Sequence, residues 1–155
     1  MHKPIYEPEV RHIECVYEAR QAHALLKRNL TAYFRPSIPE HQWKNTLVAV
    51  ENRIVNGVLI YKLDFHKYGL PDFMSSADCL GVDFIASEKN GSGTLLLKKA
   101  AEIGTIEGKD ALATNSINDK FWIKRKGFNK TQEDGLTCWK RIDELVQALE
   151  TKYYS

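Results

Sequence analysis

Residues 78–104 read DCLGVDFIASEKNGSGTLLLKKAAEIG and place a strand, a glycine loop and a helix in direct succession. The apolar run over residues 78–86 predicts the strand. Gly91 and Gly93 lie in the loop, where glycine lets a backbone approach an anion closely and point several N–H groups at it. The stretch predicts a phosphate or pyrophosphate site, with a plain connecting turn as the alternative. The helix has one apolar face, formed by Leu96, Leu97, Ala100 and Ile103.

Two common phosphate-binding motifs do not fit this loop. A P-loop requires a Lys and a Ser or Thr directly after its second glycine, and Thr94-Leu95 follow Gly93 here. A dinucleotide fingerprint has three glycines near the start of a parallel sheet, whereas this loop has two and follows a predicted hairpin.

The preceding segments predict two helices and a largely antiparallel arrangement of strands. Two apolar runs within residues 46–65 flank the polar spacer Glu51-Asn52-Arg53 and predict a β-hairpin. Asn56-Gly57 inside the second run predicts a bulge or a bend. A first strand, a long helix and a short helix are predicted over residues 10–16, 16–33 and 41–43.

The following segments complete a mixed α/β pattern. A helix from about Asn118 is expected to stop at Gly127, and a hairpin is expected around residues 133–135. The order of elements predicts one α/β domain over residues 1–155, with helices packed on a largely antiparallel sheet. A further strand and a closing amphipathic helix are predicted over residues 110–114 and 142–149.

Composition excludes several classes of protein. The chain has 155 residues, 43% of them hydrophobic, and a formal net charge of only +2, so nucleic acid is not indicated as a partner. No apolar run approaches the roughly 20 residues of a membrane helix, and the start of the chain lacks a secretory signal, which predicts a cytoplasmic protein. The histidines have no metal-ligand spacing. Three isolated cysteines, expected to be buried thiols, are Cys15, Cys79 and Cys138.

Three segments in order resemble the GNAT superfamily of N-acetyltransferases. The hairpin of residues 46–61 resembles its second and third strands, and residues 80–97 resemble its fourth strand, pyrophosphate loop and third helix. The loop motif of that family, Gln/Arg-x-x-Gly-x-Gly/Ala, aligns with residues 88–93, and Gly127-Phe128 match the end of its late motif. The resemblance implies an α/β (α+β) acyl-CoA N-acyltransferase fold, with a mixed, mostly antiparallel sheet of about seven strands flanked by helices.

The resemblance also implies an activity, the transfer of an acetyl group from acetyl-CoA to an amine by direct attack on the thioester. It implies acceptor recognition by residues 20–42, 66–76 and 131–137, and a homodimer is a further expectation. Asn115 resembles the family's cofactor-contacting Asn, with Asn118 as its competitor. The other implied cofactor-binding residues are Phe84, Ile85 and Ala86 on the strand and Lys89, Asn90, Gly91, Ser92, Gly93 and Thr94 in the loop.

The general base in such enzymes is commonly acidic, and Asp83 and Asp78 on the predicted strand are the candidates. The alternative interpretation makes both of them solvated carboxylates at a strand end. No metal ligand set is indicated.

Two positions depart from the family pattern. Glu88 replaces the basic or amide residue that opens the loop motif, so the charge there is reversed. Ile123 occupies the position where many members have a Tyr that protonates the departing thiolate. The alternative function is therefore a catalytically degenerate binding or regulatory protein on the same fold. Other possible proton donors are Tyr61, Ser116 and Cys138.

Overall fold

The computed structural model describes residues 8–31, 33–63, 79–115, 120–130 and 137–154, and this part of the chain contains seven strands and three α-helices. The strands are β1 (Glu9–His12), β2 (Thr46–Glu51), β3 (Ile54–Lys62), β4 (Cys79–Ser87), β5 (Ala111–Asn115), β6 (Asn129–Lys130) and β7 (Thr137–Arg141). The helices are α1 (Val16–Asn29), α2 (Ser92–Ile106) and α3 (Ile142–Tyr154), with a 3-10 helix (Glu40–Asn45) and a π-helix (Lys120–Arg125).

The seven strands form a sheet in the order β1-β2-β3-β4-β5-β7-β6. β4 and β5 run parallel, with Cys79 opposite Ala111, while the β1–β2, β2–β3, β5–β7 and β6–β7 pairs are antiparallel. A mixed, mostly antiparallel sheet flanked by helices is thus confirmed. No helix in the described part of the chain is both long enough and apolar enough to cross a membrane.

The β2–β3 hairpin has a two-residue turn and a bulge. Asn52 and Arg53 both have positive φ, 53° and 65°, as in the mirror-image turns whose twist matches that of paired strands. The register pairs Ala49 with Gly57 and then Val50 with Val55, so Asn56 is the extra residue of a bulge. The bulge predicted at Asn56-Gly57 is confirmed.

The ends of β1 and α1 differ from the sequence prediction. β1 ends at His12, because α1 already begins at Val16. The Glu18 carboxylate in the first turn of α1 accepts a hydrogen bond of 2.9 Å from the Glu14 backbone N–H. α1 ends at Asn29 and not near Tyr33. Leu30 is extended, with φ −123° and ψ 114°, and its N–H makes the last helical bond, to the Leu26 carbonyl at 2.9 Å, while the Asn29 side chain donates to the Leu25 carbonyl at 2.8 Å.

The chain forms two compact units, which take in the described residues of 1–60 with 84–99, and of 61–83 with 100–155. In the first unit, α1 packs on the hairpin and buries its Ala22, Leu25 and Leu26 side chains. Val16, predicted on the apolar face of α1, is 54% exposed.

In the second unit, Cys79, Ala111 and Ala113 form a small core against Trp139. The closing helix buries Ile142 and Leu145, as its pattern predicts. Cys79 and Cys138 are buried, but Cys15 is exposed because it is the N-cap residue of α1, so the expectation for Cys15 was wrong.

The predicted helix ending at Gly127 is a π-helix in its described part, where the Lys126 N–H donates to the Phe121 carbonyl at 3.1 Å. Gly127 follows with φ 69°, a left-handed conformation that glycine adopts without a steric penalty. Asn118, its predicted N-cap, lies outside the described residues, as do residues 131–136 around the predicted hairpin turn.

Candidate cofactor-binding site

Four residues, 88–91, connect β4 to α2. Gly91 has φ 93°, which an L side chain rarely adopts, so the loop requires glycine at this position. The Ser92 N–H closes the turn on the Lys89 carbonyl at 3.1 Å, and the Leu95 N–H begins the helical pattern on the Gly91 carbonyl. The N-terminus of α2 therefore faces the loop, the usual geometry for an anion site.

The bulge in β3 holds both ends of this loop. The Asn56 carbonyl accepts a hydrogen bond of 2.8 Å from the Glu88 N–H, and the Asn56 side-chain oxygen accepts one of 3.0 Å from the Ser92 hydroxyl. Ser92 is fully buried, so its hydroxyl needs this partner. The extra residue that the bulge adds to β3 thus positions the loop.

Gly57 allows α2 to approach β3 closely. A Cβ at Gly57 would lie 3.0 Å from the Leu96 Cδ1 and 3.1 Å from the Ser92 Cβ. Both distances are shorter than an optimal contact of roughly 3.5–4.0 Å between carbon atoms. The absence of a side chain at Gly57 sets the position of the first turn of α2.

The charged residues of the loop are paired. Glu88 accepts hydrogen bonds from Arg28 Nη2 at 2.6 Å, Arg28 Nε at 3.1 Å and the Asn29 side chain at 2.9 Å. The bonds from Arg28, and then that from Asn29, lower the pKa of the Glu88 carboxyl. The Lys89 ammonium lies 2.8 Å from a Glu51 carboxylate oxygen, and Asn90 is exposed in the turn.

The side chains of Phe84 and Ala86 pack within the first unit, and Ile85 beside them is half-buried. Ala86 is buried in the core of that unit, and the Phe84 ring meets Tyr33 edge-on at 5.2 Å between centroids. The Arg35 guanidinium lies 5.1 Å from the centre of the Phe84 ring. The parallel register of β4 with β5 runs from Cys79 to Val82, so residues 84–86 lie beyond it.

The predicted catalytic and proton-donating residues are only partly described. The Asp83 carboxylate is half-buried and lies 3.4 Å from the Lys62 ammonium, whereas Asp78 and Ser116 lie outside the described residues. Tyr61 is buried, and burial followed by the charge of Glu107 raises the pKa of its hydroxyl.

Asn115 has a structural partner, because its side-chain oxygen accepts a hydrogen bond of 2.9 Å from the Thr137 hydroxyl. This bond joins β5 to β7 within the second unit. Gly93 is buried and Thr94 half-buried in the first turn of α2, at the positions that the loop motif predicts.

Sequence reasoning missed two features of the first unit. The first is the contact of Arg28 and Asn29 with the loop, whose only local signal was a pair of basic residues in the last turn of α1. The second is a pocket of about 450 Å³ with Trp43 in its wall and Arg20 and Glu40 among its lining residues. His23 also lines this pocket and shares a hydrogen bond of 2.9 Å with the Tyr33 hydroxyl, and burial, then Lys27, lowers the pKa of its ring.

Comparison with solved structures identifies the fold. Ard1 from Thermoplasma volcanium superposes with a TM-score of 0.64 at 16% identity, over 86% of this chain and 96% of its own. A GNAT-family N-acetyltransferase (YhbS) from Escherichia coli in complex with CoA superposes with a TM-score of 0.59 at 15% identity, over 94% and 88% of the two chains. An acetyltransferase of the GNAT family from Streptococcus pneumoniae gives 0.56 at 20% identity, over 87% and 99%.

The chain has the fold of the GNAT acetyltransferases, as its sequence motifs indicated. No protein-family model and no curated protein matches the sequence. At identities of 15% to 20%, these likenesses show the fold alone.

Proposed function

We propose that the protein is an acetyl-CoA-dependent N-acetyltransferase that acts on an amine. The observation that carries the proposal is the loop of residues 88–93, whose backbone is fixed from β3 and opens onto the N-terminus of α2 in a GNAT fold. Amides held in one geometry before binding favour an anion without the cost of ordering them. A pyrophosphate is the anionic group that this loop would take.

The transfer itself requires few side chains. A thioester supplies the activated acetyl group, and the chain has to hold its carbonyl near backbone N–H groups and bring a neutral amine within reach. Residues 84–86 supply those backbone groups in the proposal. Residues 84–86 lie past the part of β4 that pairs with β5, and this position supports the role.

Asp83 and Asp78 stay the proposed general bases. Asp83 lies on β4 directly before residues 84–86, and a carboxylate at that position can accept a proton from the attacking amine. Asn115 stays a proposed cofactor contact in spite of its bond to Thr137, since an amide side chain has donors as well as an acceptor. A single domain, a homodimer and a cytoplasmic location stay predictions.

The second candidate is a binding or regulatory protein of the same fold. Ile123 favours it, because an aliphatic side chain cannot protonate a thiolate. A thiolate that leaves unassisted makes the reaction slower by about 10²- to 10⁴-fold, the usual contribution of a general acid. The regulatory candidate holds CoA or no cofactor and acts through a partner surface, so turnover is the property that separates it from the enzyme.

Thermal unfolding with and without acetyl-CoA tests whether the protein binds this ligand. Ligand at about 100 times its dissociation constant adds about 2.7 kcal/mol to the free energy of unfolding, so Tm should rise by about 5–10 °C. Gly91→Ala should abolish this rise. Gly108→Ala is the matched control, because Gly108 also has positive φ, 74°, and a Cβ there meets no atom within 4 Å.

Both variants introduce the same kind of backbone strain, so both should lower the Tm of the unliganded protein. Only Gly91→Ala should lose the response to acetyl-CoA. An unchanged response in folded Gly91→Ala would contradict the placement of the ligand at this loop. Release of free thiol in the presence of a panel of amines then separates the enzyme from the regulatory protein.

A further inference from the structure

The last turn of α1 places a guanidinium at the loop. Arg28 uses Nε and Nη2 to bind the two carboxylate oxygens of Glu88, a bidentate pair. A guanidinium has five N–H donors, so this pair occupies two of them and leaves the Nη1 edge for another acceptor. The Arg28 side chain is 56% exposed, so that edge is accessible to a ligand.

Glu88 is itself fixed through both its backbone and its side chain. Its N–H is bound to the Asn56 carbonyl, and its carboxylate also accepts from the Asn29 side chain, which is fixed in turn by the Leu25 carbonyl. Ordering a long arginine side chain costs up to about 2 kcal/mol of conformational free energy. Because Glu88 is anchored through backbone and side chain, the folded protein meets most of this cost for Arg28 before any ligand binds.

The ion pair of Arg28 with Glu88 changes the charge that an anionic ligand meets at the loop. A free carboxylate at position 88 would repel a pyrophosphate at the first turn of α2, and Arg28 neutralises it. The second basic residue at the loop, Lys89, is balanced by Glu51. A guanidinium can bind a carboxylate with one edge and a phosphate with the other, whereas an ammonium is a single point charge.

We propose that Arg28 binds the pyrophosphate of the ligand and that Glu88 is its positioning residue, so that the two together replace the single basic residue that would open the loop. This inference rests on the proposed function. Glu88 is then not a defect of the loop motif. Its carboxylate holds Arg28, a cation that belongs to α1, beside the loop.

The test measures the dissociation constant of CoA by calorimetry for the wild type and three variants. Arg28→Gln should weaken binding by about tenfold or more, the usual effect of losing a charged hydrogen bond. Lys27→Gln is the matched control, since it removes the same charge one residue away in the same exposed turn, and its affinity should stay near the wild type. The double variant R28Q/E88A should bind as weakly as Arg28→Gln, because it removes the free carboxylate but restores no cation.

The double variant separates ligand binding by Arg28 from neutralisation of Glu88, because it removes the carboxylate that Arg28 neutralises without supplying another cation. If Arg28→Gln binds CoA as the wild type does, or no more weakly than Lys27→Gln, Arg28 is not a ligand-binding residue. Recovery of affinity in R28Q/E88A would mean that Arg28 only neutralises Glu88, and it would overturn the inference. A wild type that does not bind CoA at all overturns the proposed function instead.

Discussion

Gly57→Ala is expected to damage the fold and the loop together. The new methyl group would lie 3.0 Å from the Leu96 Cδ1, 3.1 Å from the Ser92 Cβ and 3.4 Å from the Ala49 Cβ. Relative to an optimal contact, the first two distances are short by about 0.5–1 Å. Leu96 and Ser92 are fully buried, so the strain has to move the first turn of α2 away from β3.

The size of the effect follows from that movement. Overpacking a core costs about 1–3 kcal/mol, and the restricted unfolded state of Ala returns about 0.4–1 kcal/mol. The net loss of about 1–2 kcal/mol corresponds to a Tm lower by about 2–8 °C for a domain of this size. Displacement of Ser92 also lengthens its bond to Asn56, so the loop should lose affinity for acetyl-CoA.

Differential scanning calorimetry and a binding titration on the same samples measure both effects. Gly104→Ala is the matched control, because its Cβ would lie 2.6 Å from the Ile142 Cδ1, within the second unit and away from the loop. It should lower Tm without a change in affinity. The reasoning is refuted if Gly57→Ala keeps the Tm and the affinity of the wild type, or if both variants lose affinity equally.

Two further predictions concern stability. Glu18→Gln should lower the free energy of unfolding in urea by about 1–2 kcal/mol, because it removes a carboxylate that accepts bonds of 2.8 and 2.6 Å from the Arg11 guanidinium. An unchanged urea midpoint would contradict a stabilising role of this ion pair. Burial, followed by a nearby lysine, lowers the pKa of His12 and of His23 from the usual 6.5. As pH falls through 6.5 the unfolded chain takes up protons before the folded one, so Tm should be lower at pH 5.5 than at pH 7.5. The difference should shrink in His12→Gln, and a Tm independent of pH in this range would count against a neutral His12.

The features that sequence predicted are local ones. The hairpin turn, the bulge at Asn56-Gly57 and the strand, loop and helix of residues 78–104 each depend on residues within a few positions of one another. Glycine and alternating apolar residues report such local geometry directly. Helix ends were less accurate, since α1 stops at Asn29, where Leu30 turns to an extended conformation.

The site depended on contacts that no local pattern encodes. Glu88 and Arg28 are 60 positions apart, so the sequence showed only a reversed charge at the loop and a basic helix end. Lys89 was predicted as a pyrophosphate ligand, but Glu51 on β2, 38 positions away, binds it in the folded chain. Charged side chains find partners through the tertiary fold, and periodicity does not identify them.

The bulge at Asn56 also limits where the sequence near the loop can be changed. Since the anchor of the loop belongs to β3, an insertion or deletion between the hairpin turn and Gly57 would exchange the two faces of the strand and detach the loop at once. Exposed Asn90, in contrast, determines none of the bonds that fix the backbone of the loop. A combinatorial library directed at the loop should therefore vary position 90 and leave residues 52–57 unchanged.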